Sequence, residues 1–357
     1  YNMRVGILTS GGDCQALNAT MRGLALTLYR NVKDVEIIGF IDGYKGLMYE
    51  KYKKMKPKDF YDILNVGGSI LGNSRCPFKR MRIIENGFDK VKAMKNTYKK
   101  LELDCLVVLG GNGSIKSANM LSQEGLNVIA LPKTIDNDAW GTDYTFGYSS
   151  ATAIATRYLD EIKTTAASHS RVFVIEVMGH KVGHICLSAG IAAGADVILL
   201  PEIPYDIKVV AKKVKETLKN EKNYAIIACA EGAISEADAL MKRKDYKAKV
   251  LARNGRSVAY EVADELSQEI DADIRVSCIG HAQRGGNPDS YDREISTRFG
   301  VEGARLIIKK HYGEYVVLQG NHVTHIPLEA TAGKLKYVDT EGEIVQSAKL
   351  VGISFGE

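Results

Sequence analysis

The run Cys105-Leu-Val-Val-Leu109 is apolar at every position and leads into Gly110-Gly111-Asn112-Gly113-Ser114. A strand that lacks polar alternation is buried on both faces, as parallel strands covered by helices are. Ser114 to Leu121 then reads as the start of a helix, so the glycines form a tight strand-to-helix turn. Backbone N–H groups approach an anion closely in such a turn, and the helix N-terminus adds partial positive charge, so a phosphate is favoured there. Taken alone, the same glycines are equally a tight connection.

A second apolar run, Val128-Ile-Ala-Leu131, ends on Pro132-Lys133-Thr134-Ile135-Asp136-Asn137-Asp138. A lysine and two aspartates crowded at the end of a buried strand are hard to explain as packing, and the carboxyl edge of an open α/β sheet is where ligands bind. Near the N-terminus the form recurs: Met3 to Leu8 as strand, Thr9-Ser-Gly-Gly-Asp13 as turn, Ala16 to Tyr29 as helix. Neither turn carries Gly-x-Gly-x-x-Gly or a closing Gly-Lys-Ser/Thr, which excludes the ordinary dinucleotide and P-loop fingerprints. Strands are expected near residues 3, 36, 105, 127, 172, 197, 224, 275 and 315 with helices between them. That alternation predicts an α/β, doubly wound fold, and 357 residues exceed one core, so two lobes are expected.

Composition narrows the partners. The chain is 45% hydrophobic and 25% charged, with a net charge of +5 spread over mixed-sign segments. The lysine-rich stretch Lys51 to Lys58 reads as a solvated surface, and no basic stripe with aromatics suits nucleic acid. The six cysteines, at 14, 76, 105, 186, 229 and 278, show no paired spacing, which fits reduced, buried thiols in a cytoplasm. With no signal pattern and no 18-residue apolar stretch, neither secretion nor a membrane is expected.

Together, Thr9-Ser-Gly-Gly-Asp13, Asp42-Gly-Tyr-Lys-Gly46, Gly67-Gly-Ser-Ile-Leu-Gly-Asn-Ser-Arg75, the Gly-Gly-x-Gly-Ser turn, Pro132 to Asp138, Val177-Met-Gly179 and Gly280-His-Ala-Gln-Arg-Gly-Gly286 resemble the 6-phosphofructokinase family. The matches run in family order from about residue 4 to about residue 295. The resemblance implies two Rossmann-like lobes with the active site in the cleft. Residues 1–146 and about 283–333 would hold the phosphoryl donor, and about 147–282 with 334–357 would hold fructose 6-phosphate. It further implies a cytoplasmic glycolytic kinase, a homotetramer or a dimer, and Mg²⁺.

Residue by residue, the resemblance makes Asp136 the base for the 1-hydroxyl of fructose 6-phosphate, with Thr134 on the transferring phosphoryl group. Asp138 lies two residues on, which is the same side of an extended chain, and helps hold the metal or orient the base. Arg275, His281, Arg284 and Arg171 match the 6-phosphate pocket, Glu231 the carboxylate on the sugar hydroxyls, and Met178 and Gly179 the ring contacts. Arginine suits a phosphate dianion through its fork of donors. In the family Arg171 and Arg275 reach across a subunit interface. Gly12, Tyr44, Arg75, Cys76, Gly111, Asn112, Gly113, Ser114 and Lys133 match positions that line the donor.

Two donors compete. Pyrophosphate-dependent members carry an aspartate at the position of Gly113, filling the space of a nucleotide α-phosphate, whereas Lys133 is the residue those members share. Steric exclusion outweighs a lysine that can fold aside, so ATP is expected and pyrophosphate is the alternative. Two departures stand out. Asn112 replaces an aspartate that binds Mg²⁺, and His180 replaces an arginine and is fully charged only below its ordinary pKa of about 6.5. These departures motivate a competing reading, a non-catalytic sugar-phosphate-binding regulatory subunit; the retained Asp136 argues against it. Arg22 matches one basic residue of the bacterial effector site, but Leu26 stands where a second arginine belongs, so that control is not expected.

Overall fold

The computed structural model describes residues 2–331 and 333–357. Its strands, in chain order, are β1 Met3–Ser10, β2 Val35–Phe40, β3 Tyr52–Met55, β4 Cys105–Gly110, β5 Val128–Pro132, β6 Val172–Val177, β7 Val197–Leu199, β8 Ala225–Ala230, β9 Ile274–Cys278, β10 Glu314–Gln319 and β11 His322–Pro327. The chain forms two compact units. One takes the chain up to Ser150 and again over Arg284–Lys336, and the other comprises Ala151–Gln283 and Tyr337–Glu357.

The first unit carries a seven-stranded sheet in the order β11-β10-β5-β4-β1-β2-β3. β1, β2, β4, β5 and β10 run parallel, while β3 and β11 pair antiparallel at the two edges. Every residue of β4 and β5 is buried, as their unbroken apolar runs require. Strand order reverses between β1 and β4, and there the register sets Ser10 beside Gly110 and Gly110 beside Pro132. The glycine turns after β1 and β4 and the lysine after β5 therefore emerge side by side at the switch point of the sheet.

The edge strands were not foreseen. β3 is Tyr-Lys-Lys-Met, exposed at its first three positions, so its lysines are solvated as expected while its backbone closes an edge of the sheet. The helix after β4 begins at Asn112, two residues before the expected Ser114. Helices Leu17–Asn31 and Ser290–Ile308 pack closely because glycines face backbone: a Cβ on Gly23 would lie 2.7 Å from the Thr297 carbonyl oxygen, and one on Gly300 would run into that of Thr20.

The second unit holds a parallel sheet, β7-β8-β6-β9. Val172, Val174, Ile227 and Cys229 pack on Val210, Val214, Val262 and Leu266 from the covering helices. Of the thiols, all free, Cys14, Cys105, Cys186 and Cys229 are buried as expected; Cys76 is half-buried and Cys278 is exposed. Among the described residues no helix is long and apolar enough to cross a membrane.

One buried carboxylate ties the loop before Ser150 to the helix that re-enters the first unit. Asp292, fully buried, accepts from the Tyr144 hydroxyl at 2.5 Å, from the Gly147 and Ser150 amides at 2.9 Å, and from the Ser150 hydroxyl at 2.5 Å. Asp292→Asn would turn one acceptor oxygen into an N–H facing donors. A loss of about 2–4 kcal/mol in denaturant unfolding is expected, and an unchanged midpoint and slope would contradict this role.

Candidate active site

In the first unit the turn after β1 and the turn after β4 are joined by Lys133. Its side chain is 3% exposed, and its ammonium donates to the Gly12 carbonyl oxygen. Burial pulls the pKa of this amine down, while Asp136 and Asp13 oppose that pull and Arg284 adds to it. The lysine does not fold aside; it lies in the cradle. Gly11 is held in turn by its amide, which donates to the Ser74 carbonyl at 3.1 Å.

The helix Asn112–Gln123 starts from Gly111 with no side-chain cap, as do the helices opening at Leu17 and His184. Elsewhere Asp89, Asp206, Ser257 and Asp289 cap their helices. These three starts come after β1, β4 and β6; the helices opening at Tyr44, Phe78, Arg243 and Glu343 also lack a side-chain cap, so it is the place of the first three at strand ends, not the missing cap, that aims first-turn N–H groups at the sheet's edge. Ser114 is buried, with its hydroxyl donating to Ser10 Oγ at 2.9 Å. Tyr44 departs from its expected role: its ring is fully buried and its hydroxyl donates to the Ser114 carbonyl at 2.7 Å. Its side chain therefore positions the helix start and cannot line a donor. Arg75 is exposed, and Cys76 is half-buried beside Ser74. A Cβ placed on Gly113 meets nothing within 4 Å, so packing does not demand glycine there.

The segment after β5 is bent rather than extended. Asn137 adopts a left-handed φ of 54°, so the same-side argument for Asp136 and Asp138 does not hold. Asp136 is half-buried, with its amide donating to Thr134 Oγ1 at 3.1 Å. Asp138 is 4% exposed; Asn112 hydrogen-bonds it, and its Oδ1 is buried without a hydrogen-bond partner. Burial pushes the Asp138 carboxyl above the usual carboxylate range. A bare, buried carboxylate oxygen is a ligand a hard cation accepts, and the Asn112 amide that donates to the same carboxylate stands beside it.

Arg284 also belongs to this unit, and its guanidinium occupies the place a Cβ on Gly12 would take. Its Nε is buried without a hydrogen-bond partner. Here the arginine faces the first glycine turn.

In the second unit, Glu231 extends β8, and its Oε1 accepts from the Gly179 amide at 3.1 Å and the His180 amide at 2.5 Å. Gly179 and His180 have φ of 152° and 55°, so the chain turns sharply around that carboxylate. His180 is exposed. Gln283 Oε1 accepts from the Met178 amide at 3.2 Å, and its Nε2 donates to the Gly280 carbonyl at 3.1 Å, which fixes the turn carrying exposed His281. Arg171 and Arg275 lie elsewhere. They flank the start of β6 and β9, and both pair with Asp273, at 2.7 and 2.9 Å. Glu231 lies past the opposite end of β6, a strand length of about 20 Å away.

Two positioning residues escaped the sequence reading. Gln283 stood inside a quoted motif without a role. Lys336 lies in a tail with no motif at all, yet its amide donates to the Asp138 carbonyl at 2.9 Å, and its ammonium donates to Asn137 Oδ1, Thr142 O and Asp143 O at 3.1, 2.8 and 3.1 Å.

Residues 4–307 match the family model described as Phosphofructokinase. An ATP-dependent 6-phosphofructokinase of Spirochaeta thermophila is 46% identical over 99% of this chain and 97% of its own. ATP-dependent 6-phosphofructokinase 3 of Bacteroides thetaiotaomicron is 42% identical over 99% and 100%. Phosphofructokinase from Saccharomyces cerevisiae superposes with a TM-score of 0.81 at 28% identity, covering 93% of this chain, which spans only 45% of the yeast chain. A pyrophosphate-dependent phosphofructokinase from Marinobacter aquaeolei shares the fold, with a TM-score of 0.78 at 19% identity over 99% of this chain and 92% of its own.

Burial lowers the Lys336 pKa to about 8. An opening that wets this amine returns it to about 10.4, so the open state binds more protons between those values and closing gains with rising pH. Amide protection over residues 134–143, corrected for intrinsic exchange, should rise by up to about tenfold per pH unit above 8 and become flat in Lys336→Met. Protection that falls over this range would contradict the assignment.

Proposed function

The chain belongs to the phosphofructokinase family, and we propose that it transfers the terminal phosphoryl group of ATP to the 1-hydroxyl of fructose 6-phosphate. The observation that carries the donor is the open space at Gly113 on an uncapped helix start. Both quoted bacterial relatives are named ATP-dependent. A nucleotide has an α-phosphate to place there, and nothing in the fold fills the volume.

On this reading the first unit handles the donor. Gly12, Gly111, Asn112, Gly113 and Ser114 present backbone to the phosphates, and Lys133 and Arg284 supply positive charge where negative charge shifts during transfer. Asp136 accepts the proton of the attacking hydroxyl, with Thr134 on its amide holding the bend. Mg²⁺ fits the donor set: Asp138, through its unpartnered oxygen, and Asn112 would hold it. When bound, the ion neutralises donor-phosphate charge.

The second unit takes the sugar phosphate. Glu231 receives hydroxyls at the turn of Met178, Gly179 and His180, and His281 stands on the turn that Gln283 fixes. Arg171 and Arg275, gathered by Asp273 at the other end of the strands, serve a sugar phosphate bound by another copy of the chain. The working assembly is accordingly a homo-oligomer, a tetramer or a dimer, and free thiols suit a cytoplasmic setting.

Asp136→Ala tests the catalytic reading. Turnover is expected to fall by about 10²–10⁴, while calorimetric binding of fructose 6-phosphate stays within a few-fold. Turnover that survives would remove Asp136 from its role, and a wild type that binds sugar without turning over would make the chain a regulatory subunit.

A further inference from the structure

Away from the glycine turns, the end of helix Ser290–Ile308 and the β10–β11 hairpin gather two imidazoles and a carboxylate. His311, Glu314 and His325 each offer one ligand atom, and these atoms lie within 4.8 Å of one another. Each residue stands on fixed backbone. Lys310 turns left-handed at φ 54°; its amide donates to Ile307 O, and that of His311 donates to Leu306 O, both at 2.9 Å, which closes the helix in a Schellman end. Glu314 opens β10 and pairs with Ile129 of β5. His325 sits on β11 opposite Val316, a position diagonal to Glu314 across the hairpin.

The contacts already approach a coordination sphere. His311 Nε2 lies 3.1 Å from Glu314 Oε1, and the two imidazole rings meet edge-on with centroids 5.1 Å apart. Around a tetrahedral ion with ligands at about 2.0–2.2 Å, neighbouring ligand atoms are roughly 3.3–3.6 Å apart. An independent observation concerns Glu314 itself. The residue is 8% exposed, and its Oε2 is buried without a hydrogen-bond partner. A carboxylate oxygen in that state is costly unless a donor or cation meets it. His325 is prepared from the other side: Nδ1 lies 3.3 Å from Glu302 Oε1, and the tautomer in which Nδ1–H donates to that carboxylate leaves Nε2 with its lone pair. A carboxylate behind a ligating histidine is the usual support for a metal.

We propose that His311, Glu314 and His325 form a site for a first-row divalent cation of the Zn²⁺ type. Two imidazoles and one carboxylate suit Zn²⁺, whereas Mg²⁺ prefers an all-oxygen shell. The site is remote from the phosphate cradle, because Glu314 pairs near the start of β5 and Lys133 lies just past its end. A bound ion would tie the helix end to both hairpin strands, so its effect is on stability.

Thermal melting of the full chain at neutral pH, with and without Zn²⁺ in chelator-free buffer, tests the assignment. Zn²⁺ in large excess over Kd should raise Tm by several degrees in the wild type and leave the double variant His311→Gln, His325→Gln unmoved, and Mg²⁺, which the Asp138 site would take in both proteins, should shift the two alike. Co²⁺ as a spectroscopic substitute should give the visible bands of a four-coordinate ion in the wild type and lose them in His325→Gln, a reading available even if the double variant folds poorly. A wild-type melt indifferent to Zn²⁺, or a Zn²⁺ shift that persists in the double variant through another ligand such as exposed Cys278, would overturn the proposal.

Discussion

Lys133 takes its side-chain amine to a place 3% exposed, where the peptide carbonyl of Gly12 accepts from it. Moving an ammonium out of water costs several kcal/mol, and Asp136 and Asp13 offset part of that while Arg284 opposes it. The lysine persists because it does two jobs at once. It locks the turn after β1 to the end of β5, and it leaves the cradle short of negative charge. In the proposed function a polyphosphate would supply what is missing, so that donor binding and neutralisation of the buried cation would be one event. The uncapped start of helix Asn112–Gln123 obeys the same logic with N–H groups in place of charge.

The second unit separates its polar residues by the length of a strand. Glu231, the Met178–His180 turn and Gln283 occupy one end of β6, and Arg171 and Arg275 the other. Asp273 keeps the two arginines together in the absence of phosphate, and its carboxyl is held below the usual range chiefly by the Arg171 hydrogen bond. One copy of this unit thus presents Glu231 with its turn at one edge and a pair of arginines at the other, which in the proposed function is the arrangement a closed oligomer with shared sites would need.

Much of this was legible because the decisive residues sit where strand pattern and turn chemistry coincide. β4, β5 and β8 are unbroken apolar runs, and the turn at the carboxyl end of each is polar for a reason other than packing. The sequence hid the features that depend on tertiary approach. β3 and β11 lack a periodic apolar signature because edge strands need bury only part of one face. The bend at Asn137 comes from a positive φ that no spacing rule reveals, and it undid the expected alignment of Asp136 with Asp138. Tyr44 lay in a donor motif yet serves the helix beneath it, while Lys336, distant in sequence from every motif, closes on the loop that carries Asp138. The metal-type cluster at His311 is likewise spread over a helix end and two strands.

In the proposed function it is the space at Gly113 that would let a nucleotide occupy a cradle whose charge would also suit pyrophosphate. Fructose 1,6-bisphosphate formation with Mg²⁺, run in parallel with ATP and with pyrophosphate on the wild type and on Gly113→Asp, measures this directly. ATP turnover is expected in the wild type and its collapse in a folded Gly113→Asp, since a side chain there meets no neighbour within 4 Å. Wild-type turnover with pyrophosphate alone, or undiminished ATP turnover in Gly113→Asp, would contradict the role of that space and return the choice of donor to Lys133.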